Sequence, residues 1–290
     1  MINLVNSTGD AHIDNIIQAV IGIYEATFPE QIQGYYLIGS YGDDSAIRGS
    51  DVDMMIIFKG TMTESEKDRC DTLKTSCRVL TPVHLDLPVI AEADFHQVDT
   101  VALKLSSKFV YGEDTRESIP LPSMETYLYQ ISMPTQRGLT IRFRQEQVTL
   151  PLDYPDANDA YFGYIPAIYQ DSDTPIKLWV LNVGWLATFL VVHRAGVYVP
   201  SKRHMLPLYR KYIHDKWTDF IADVYTYGRN KWHYQLPHSD EELKLFRELC
   251  QQTLAFENHV ASIYVDWLKQ NHQLSHYVMG TERLQAFNIS

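Results

Sequence analysis

Leu37-Ile38-Gly39-Ser40 and, ten residues on, Asp51-Val52-Asp53 form the stretch on which the reading of this chain turns. Tyr35-Tyr36-Leu37-Ile38 is a short apolar run of strand character that stops at Gly39-Ser40. A glycine and a hydroxyl at the end of a strand let a backbone N–H and a side-chain O–H come close to a phosphate. Asp51 and Asp53 open a second apolar run, Met54-Met55-Ile56-Ile57-Phe58, and period-two alternation turns both carboxylates to one side. Two parallel carboxylates repel unless a hard cation lies between them, and Mg²⁺ takes one or two carboxylates together with phosphate oxygens. Asp86, in the alternating run Val83-His84-Leu85-Asp86-Leu87, is the third acid that would complete a two-metal centre. Two Mg²⁺ ions on a nucleoside triphosphate point to in-line phosphoryl or nucleotidyl transfer.

Outward from this stretch, helices and strands alternate. Ile13, Ile16, Ile17, Val20, Ile23 and Tyr24 recur at helical spacing up to Pro29. Thr63 with Glu66 makes a capping box for a charged helix to about Arg78, with Cys70 and Cys77 on one face as packing residues. Phe95, Val98, Ala102, Leu105 and Phe109 predict another helix, ended by Gly112. Ile119-Pro120-Leu121-Pro122-Ser123 reads as a linker, and beyond it the signals are mostly helical. The run from Pro175 to Ala195 is apolar on nearly every face, as a central bundle helix is. Ser201 is placed to N-cap the next helix, and Ser239 with Glu242 opens a long amphipathic one. The Pro-, Asp- and Tyr-rich segment 144–173 reads as an ordered loop, since Tyr154, Tyr161, Tyr164 and Tyr169 are there to be buried.

Composition narrows the classes of function. The 290 residues carry 25 Lys and Arg against 36 Asp and Glu, a formal charge of −11. Such a surface repels nucleic-acid backbones and attracts cations. Three cysteines without a CxxC, and histidines without an HExxH, give neither a disulfide framework nor a zinc site. Asp10 and Asp14 interrupt the N-terminal apolar stretch, which is therefore no signal peptide, and Asn182 interrupts Leu178–Val192, which is short for a membrane span. The expectation is a soluble cytoplasmic protein with no nucleic-acid or membrane partner.

The pattern of an apolar residue, Gly39-Ser40, ten residues, Asp51-x-Asp53 and a later apolar-Asp86-apolar strand resembles the signature of the DNA polymerase β-like nucleotidyltransferase superfamily. Ser50, just before the first acid, is also common there. Lys108-Phe-Val-Tyr-Gly112-Glu-Asp looks like the stretch that closes the catalytic domain of small-molecule adenylyltransferases. Gly196-Val-Tyr-Val-Pro-Ser201-Lys202 is similar to the Thr-Gly-x(n)-Ser-Lys stretch of streptomycin/spectinomycin adenylyltransferases.

The resemblance implies an α+β protein: a nucleotidyltransferase domain over residues 1–116, with a mixed sheet flanked by helices, and an α-helical bundle over 117–290 that closes the site. It implies two Mg²⁺ ions, with Asp51 and Asp53 holding both, and Asp86 holding one and serving as base. Relatives often carry Glu where Asp86 stands. Gly39, Ser40 and Ser50 would bind the triphosphate of ATP and Lys202 would neutralise phosphate charge. Tyr227 would stack on adenine, with Tyr225 as the rival. His84 is either a partner of Asp86 or a packing residue, and Arg48 is read as exposed. The implied reaction is AMP transfer from ATP to a hydroxyl of a small, aminoglycoside-like acceptor. Asp153, Asp156, Asp159, Asp171 and Asp173 would suit a cation. A protein or metabolite acceptor, and a non-catalytic antitoxin or regulatory module on the same fold, are the competing readings.

Overall fold

Asp10 begins the first helix by accepting hydrogen bonds from the N–H groups of His12 and Ile13 at 2.8 and 3.3 Å, donors that a first helical turn leaves open. The computed structural model describes residues 2–144, 147–271 and 286–287. It divides into two units, one of Met1–Ser123 with Tyr198–His204 and one of Met124–Val197 with Met205–Ser290.

In the first unit, α1 (Ala11–Thr27) buries Ile13, Ile17, Val20, Ile21 and Tyr24. The sheet has five strands among the described residues: β1 (Ile32–Ile38), β2 (Val52–Phe58), β3 (Leu85–Asp86), β4 (Val89–Ala91) and β5 (Lys108–Gly112). Their order is β3-β2-β1-β5, with β4 also on β2. β1 runs antiparallel to β2 and β5, and β2 runs parallel to β3 and β4, so the sheet is mixed. Both faces of β1 and β2 are covered. Tyr35, Leu37, Met54 and Ile56 join the cluster that holds α1, whereas Tyr36, Met55 and Ile57 join Leu103, Phe109 and Ile119 on the other side. That is why these strands read as unbroken apolar runs.

Helix α3 (Glu64–Val79) starts at the Thr63–Glu66 capping box and buries Cys70 and Cys77. It follows α2 (Gly39–Gly42), a single helical turn directly after β1.

Two stretches depart from the sequence reading. The expected strand Val83–Leu87 pairs only over Leu85–Asp86, and the edge resumes at Val89. Pro88 has no N–H to continue the ladder, although its carbonyl accepts from Ile56 N–H at 2.9 Å. The expected helix around Phe95–Phe109 is also shorter: α4 spans Val101–Ser106, and Phe109 lies in β5. Phe95, Val98, Leu103 and Phe109 meet in one cluster, so their apolarity serves packing of a turn, a helix and a strand rather than one helix face.

The second unit contains α5 (Met124–Leu139), α6 (Lys177–Ala195), most of α7 (Lys202–Tyr212), α8 (Thr218–Asp223), a π-helical stretch (Val224–Lys231) and α9 (Asp240–Asn271). α9 opens where Ser239 Oγ accepts from Glu242 N–H at 3.3 Å. α6 is long and apolar enough to cross a membrane, yet Trp179, Val183, Leu186, Ala187, Phe189 and Leu190 are buried within the unit, as in a core helix. Its Asn182 donates to the buried Glu257 of α9 at 3.0 Å. The loop before α6 buries Tyr164 fully, stacks Tyr154 on Phe162 and sets Tyr161 on Phe246, but leaves Tyr169 partly exposed.

Candidate functional site

At the end of β1, Ile38 stands opposite Asp53 of β2. The chain then turns through Gly39 at φ +63°, a left-handed conformation that disfavours any side chain. A Cβ on Gly39 would collide with Asp53 Oδ2, so the glycine is what lets the first carboxylate of β2 approach the turn that carries Ser40. Ser40 is the second residue of α2, and its carbonyl accepts from Ser45 N–H at 2.9 Å.

The loop from Asp43 to Asp51 is held by its own polar groups. Ser50 Oγ accepts from Ile47 N–H at 2.9 Å, and Ser50 N–H donates to Ile47 O at 2.9 Å. Asp44 is ion-paired with Lys108 of β5, which also donates to Ser7 O at 3.3 Å. Arg48 is exposed. Asp51 and Asp53 are both half-buried, on either side of buried Val52. Tyr41 senses this charge: burial first, then Asp10 and Asp51, hold its phenol above the ordinary value.

Asp86 is the in-register neighbour of Asp53 on the parallel strand β3, so the two residues share a face of the sheet. Two cations from α3 meet the Asp86 carboxylate. Arg78 Nη2 donates to Oδ1 at 2.8 Å and Lys74 Nζ lies 3.3 Å from the same oxygen. Arg78 Nε also donates to Leu85 O at 2.8 Å, which fixes the guanidinium along the strand edge. His84 is exposed, and its carbonyl accepts from Val52 N–H at 2.9 Å.

The segment 198–204, which carries Lys202, belongs to the first unit. Ser201 Oγ donates to Asp43 Oδ2 at 2.5 Å, and Arg203 Nη1 donates to Asp43 O at 2.8 Å. Asp43 Oδ1 meanwhile accepts from Ser45 N–H at 3.1 Å. Lys202, between the two anchored residues, is thus tied by its backbone to the loop after Ser40. Ser201 precedes α7 as expected of an N-cap, but its hydroxyl partners are Asp43 and the His204 ring rather than a backbone N–H.

Tyr227 belongs to the second unit, in the π-helical stretch, half-buried with its ring 5.6 Å from that of Trp232 and with Lys231 over it. Tyr225 points its hydroxyl into the interior against Gly184, without a hydrogen-bond partner. Tyr227 therefore packs on buried Trp232, and both rivals are half-buried. Sequence reasoning missed Asp43, Lys74 and Arg78. The only local signal was the spacing of Lys74 and Arg78, four apart on a helix facing a strand that carries an acid.

No family model matches the chain, and no curated protein does. A solved structure of a spectinomycin adenyltransferase from Enterococcus faecialis, with ATP and spectinomycin, is similar to 83% of this chain and 99% of its own, at a TM-score of 0.48 and 14% identity. That level of overlap assigns no residue a role, and the chemistry of the site rests on this chain's own geometry.

Proposed function

We propose that the chain is a nucleotidyltransferase that moves AMP from ATP to a hydroxyl of a small, cationic, aminoglycoside-like acceptor and releases pyrophosphate. The observation that carries the reading is the register of β1 on β2, which sets the Gly39-Ser40 turn against Asp53. Ser40 and Ser50 would hold phosphate oxygens, Lys202 would offset triphosphate charge, and Tyr227 would stack on the base. In the reaction the acceptor oxygen bonds to the α-phosphorus while the bond to the β-phosphate oxygen breaks, and pyrophosphate leaves with the electron pair. The hydroxyl proton passes to a carboxylate, for which Asp86 is the candidate.

The donor set fits the expected metals only in part. Asp51 and Asp53, one residue apart at the start of β2, are hard oxygen donors of the kind one Mg²⁺ takes beside phosphate. Asp86 is already met by Arg78 and Lys74, and among the described residues no three His, Cys, Asp or Glu side chains are grouped to hold a metal. The arrangement therefore fits a single cation on Asp51 and Asp53 better than a three-carboxylate pair of metals. A Mg²⁺ bound there would supply charge neutralisation to the triphosphate.

The test is pyrophosphate release from Mg-ATP across a panel of aminoglycosides, with a no-acceptor control and Asp53→Ala alongside. Release that requires both an aminoglycoside and Asp53 is expected. Release unchanged in Asp53→Ala would refute the site. A second reading, a module that binds nucleotide without turning it over, is favoured by the cations on Asp86. ATP binding by calorimetry with no release from any acceptor would select it.

A further inference from the structure

The second unit holds a charged centre that the reaction above does not use. Its middle is Glu257, fully buried on α9. Glu257 Oε2 accepts from Arg144 Nη2 at 2.6 Å and from Tyr164 OH at 2.7 Å, and Oε1 accepts from Asn182 Nδ2 at 3.0 Å. This carboxylate is fully used. Arg144, with a side chain 7% exposed, spends Nε on Asp153 O at 2.9 Å, while its Nη1 is buried with no hydrogen-bond partner.

Asn182 turns its oxygen the other way, toward Gly138 and Arg142. A Cβ at Gly138 would overlap that oxygen, and Arg142 Nη1 donates to it across 3.4 Å, a long bond to a neutral acceptor. Arg142 N–H donates to Arg137 O at 2.9 Å, which folds the end of α5 back so that the two arginines adjoin. Among the described residues neither Arg137 nor Arg142 pairs with a carboxylate. Burial, and then the Arg137 charge, push the Arg142 guanidinium below its ordinary value.

The chain has acids to spare, 36 against 25 bases, and two of those in the loop that follows are engaged by backbone amides. Asp156 Oδ1 accepts from Asn158 N–H at 2.9 Å, and Asp159 Oδ1 accepts from Tyr161 and Gly163 N–H at 2.8 and 3.1 Å. A half-buried guanidinium beside a second one is costly unless an anion completes it. A phosphate group carries enough charge for both and matches the donor fork of arginine.

We propose that Arg137 and Arg142, braced by Asn182, form an anion site in the helical unit that takes the phosphate group of a phosphorylated small molecule. The source is either a nucleotide or free phosphate or pyrophosphate, and the ligands tested separate these.

The experiment is calorimetry on the full chain in EDTA with inorganic phosphate, pyrophosphate and ATP in turn, on the wild type, Arg137→Gln, Arg142→Gln, Arg142→Lys and Asp53→Asn. At least one ligand should bind the wild type and Asp53→Asn equally, and bind each glutamine variant at least about tenfold more weakly. Binding by ATP alone identifies a nucleotide, and binding by all three identifies the bare anion. No binding by any ligand, or unchanged binding in both glutamine variants, overturns the proposal. Arg137 is exposed, so Arg137→Gln keeps the test open should Arg142→Gln fail to fold. Chelation and Asp53→Asn remove the metal and a carboxylate from the proposed nucleotidyl site, and only binding lost in the arginine variants is assigned to the anion site, so failure of either proposal leaves the other standing.

Discussion

Gly39 and Asp53 are fitted to one another: the glycine adopts φ +63° at the end of β1, and the carboxylate of Asp53 fills the place where a Cβ on residue 39 would be. Gly39→Ala must therefore strain the turn and displace the carboxylate together. The left-handed backbone alone costs an alanine about 1–2 kcal/mol. The expected result is a lower Tm by that measure and a loss of pyrophosphate release larger than the stability change explains, read by thermal denaturation and by turnover on the folded variant.

Asp53 and Asp86 should separate by substitution although they are neighbours in register. Asp86→Asn should hardly change stability, because a pair whose partners are 45% and 40% exposed contributes about 0–1 kcal/mol. As the candidate base, however, Asp86→Asn should lower kcat by about 10²-fold or more, and Arg78→Met, which leaves the carboxylate in place, should keep most of it. A full kcat in Asp86→Asn would remove Asp86 from the chemistry.

The parts of this architecture that local sequence can express are the parts it announces. Met54 to Phe58 is continuously apolar because both faces of β2 are covered, and the two acids before and within it mark where the strand meets solvent. Thr63 with Glu66 and Ser239 with Glu242 begin helices by contacts three residues long. The run 95–109 misleads because helical spacing of apolar side chains also arises when a turn, a short helix and an edge strand converge on Tyr36 and Leu103. Asp43 with Ser201, and Asp86 with Arg78, are unreadable for a different reason. Each is a tertiary pair: nothing around Asp43 encodes Ser201, and the i, i+4 spacing of Lys74 and Arg78 signals a cationic face without naming Asp86.

Ser201 and Asp43 offer a coupled test of how the 198–204 segment is held. A hydrogen bond to a carboxylate contributes about 1.5–3 kcal/mol. Ser201→Ala and Asp43→Ala should each raise the Kd for ATP, and the double variant should be less impaired than the sum, as for residues in direct contact. Additive effects in this double-mutant cycle would show that the contact does not position Lys202.

Two histidines set an acid limit on stability. His193 and His259 are both held below the ordinary value, by burial first and then by Arg194. The unfolded chain then binds more protons than the folded one, so the stability they permit is whole above about pH 6.5 and is lost as pH falls toward their folded values. Tm should fall between about pH 7 and 5. His193→Phe, beside Phe189 at 5.5 Å, should flatten part of that slope, and an unchanged slope would exclude His193 as a source.

Glu257→Ala should destabilise the helical unit by about 3–5 kcal/mol in a urea titration, since it strands Arg144 in the interior and leaves Tyr164 and Asn182 without their acceptor. Glu257→Gln, which keeps the shape and one acceptor, should cost less.

Residues 198–204 belong to the unit built by the first 123 residues, although the chain on either side of them belongs to the other. Asp43 must wait for a partner 158 positions downstream. On a ribosome, which delivers the N-terminal residues first, the unit bearing Ser40 and Asp53 stays unfinished until the first stretch of the helical unit, 124–197, has been synthesised. A premature stop or a proteolytic cut anywhere in 124–197 would separate Ser201 and Arg203 from Asp43 along the chain, so no single break divides this protein into two halves that each keep all of their own parts.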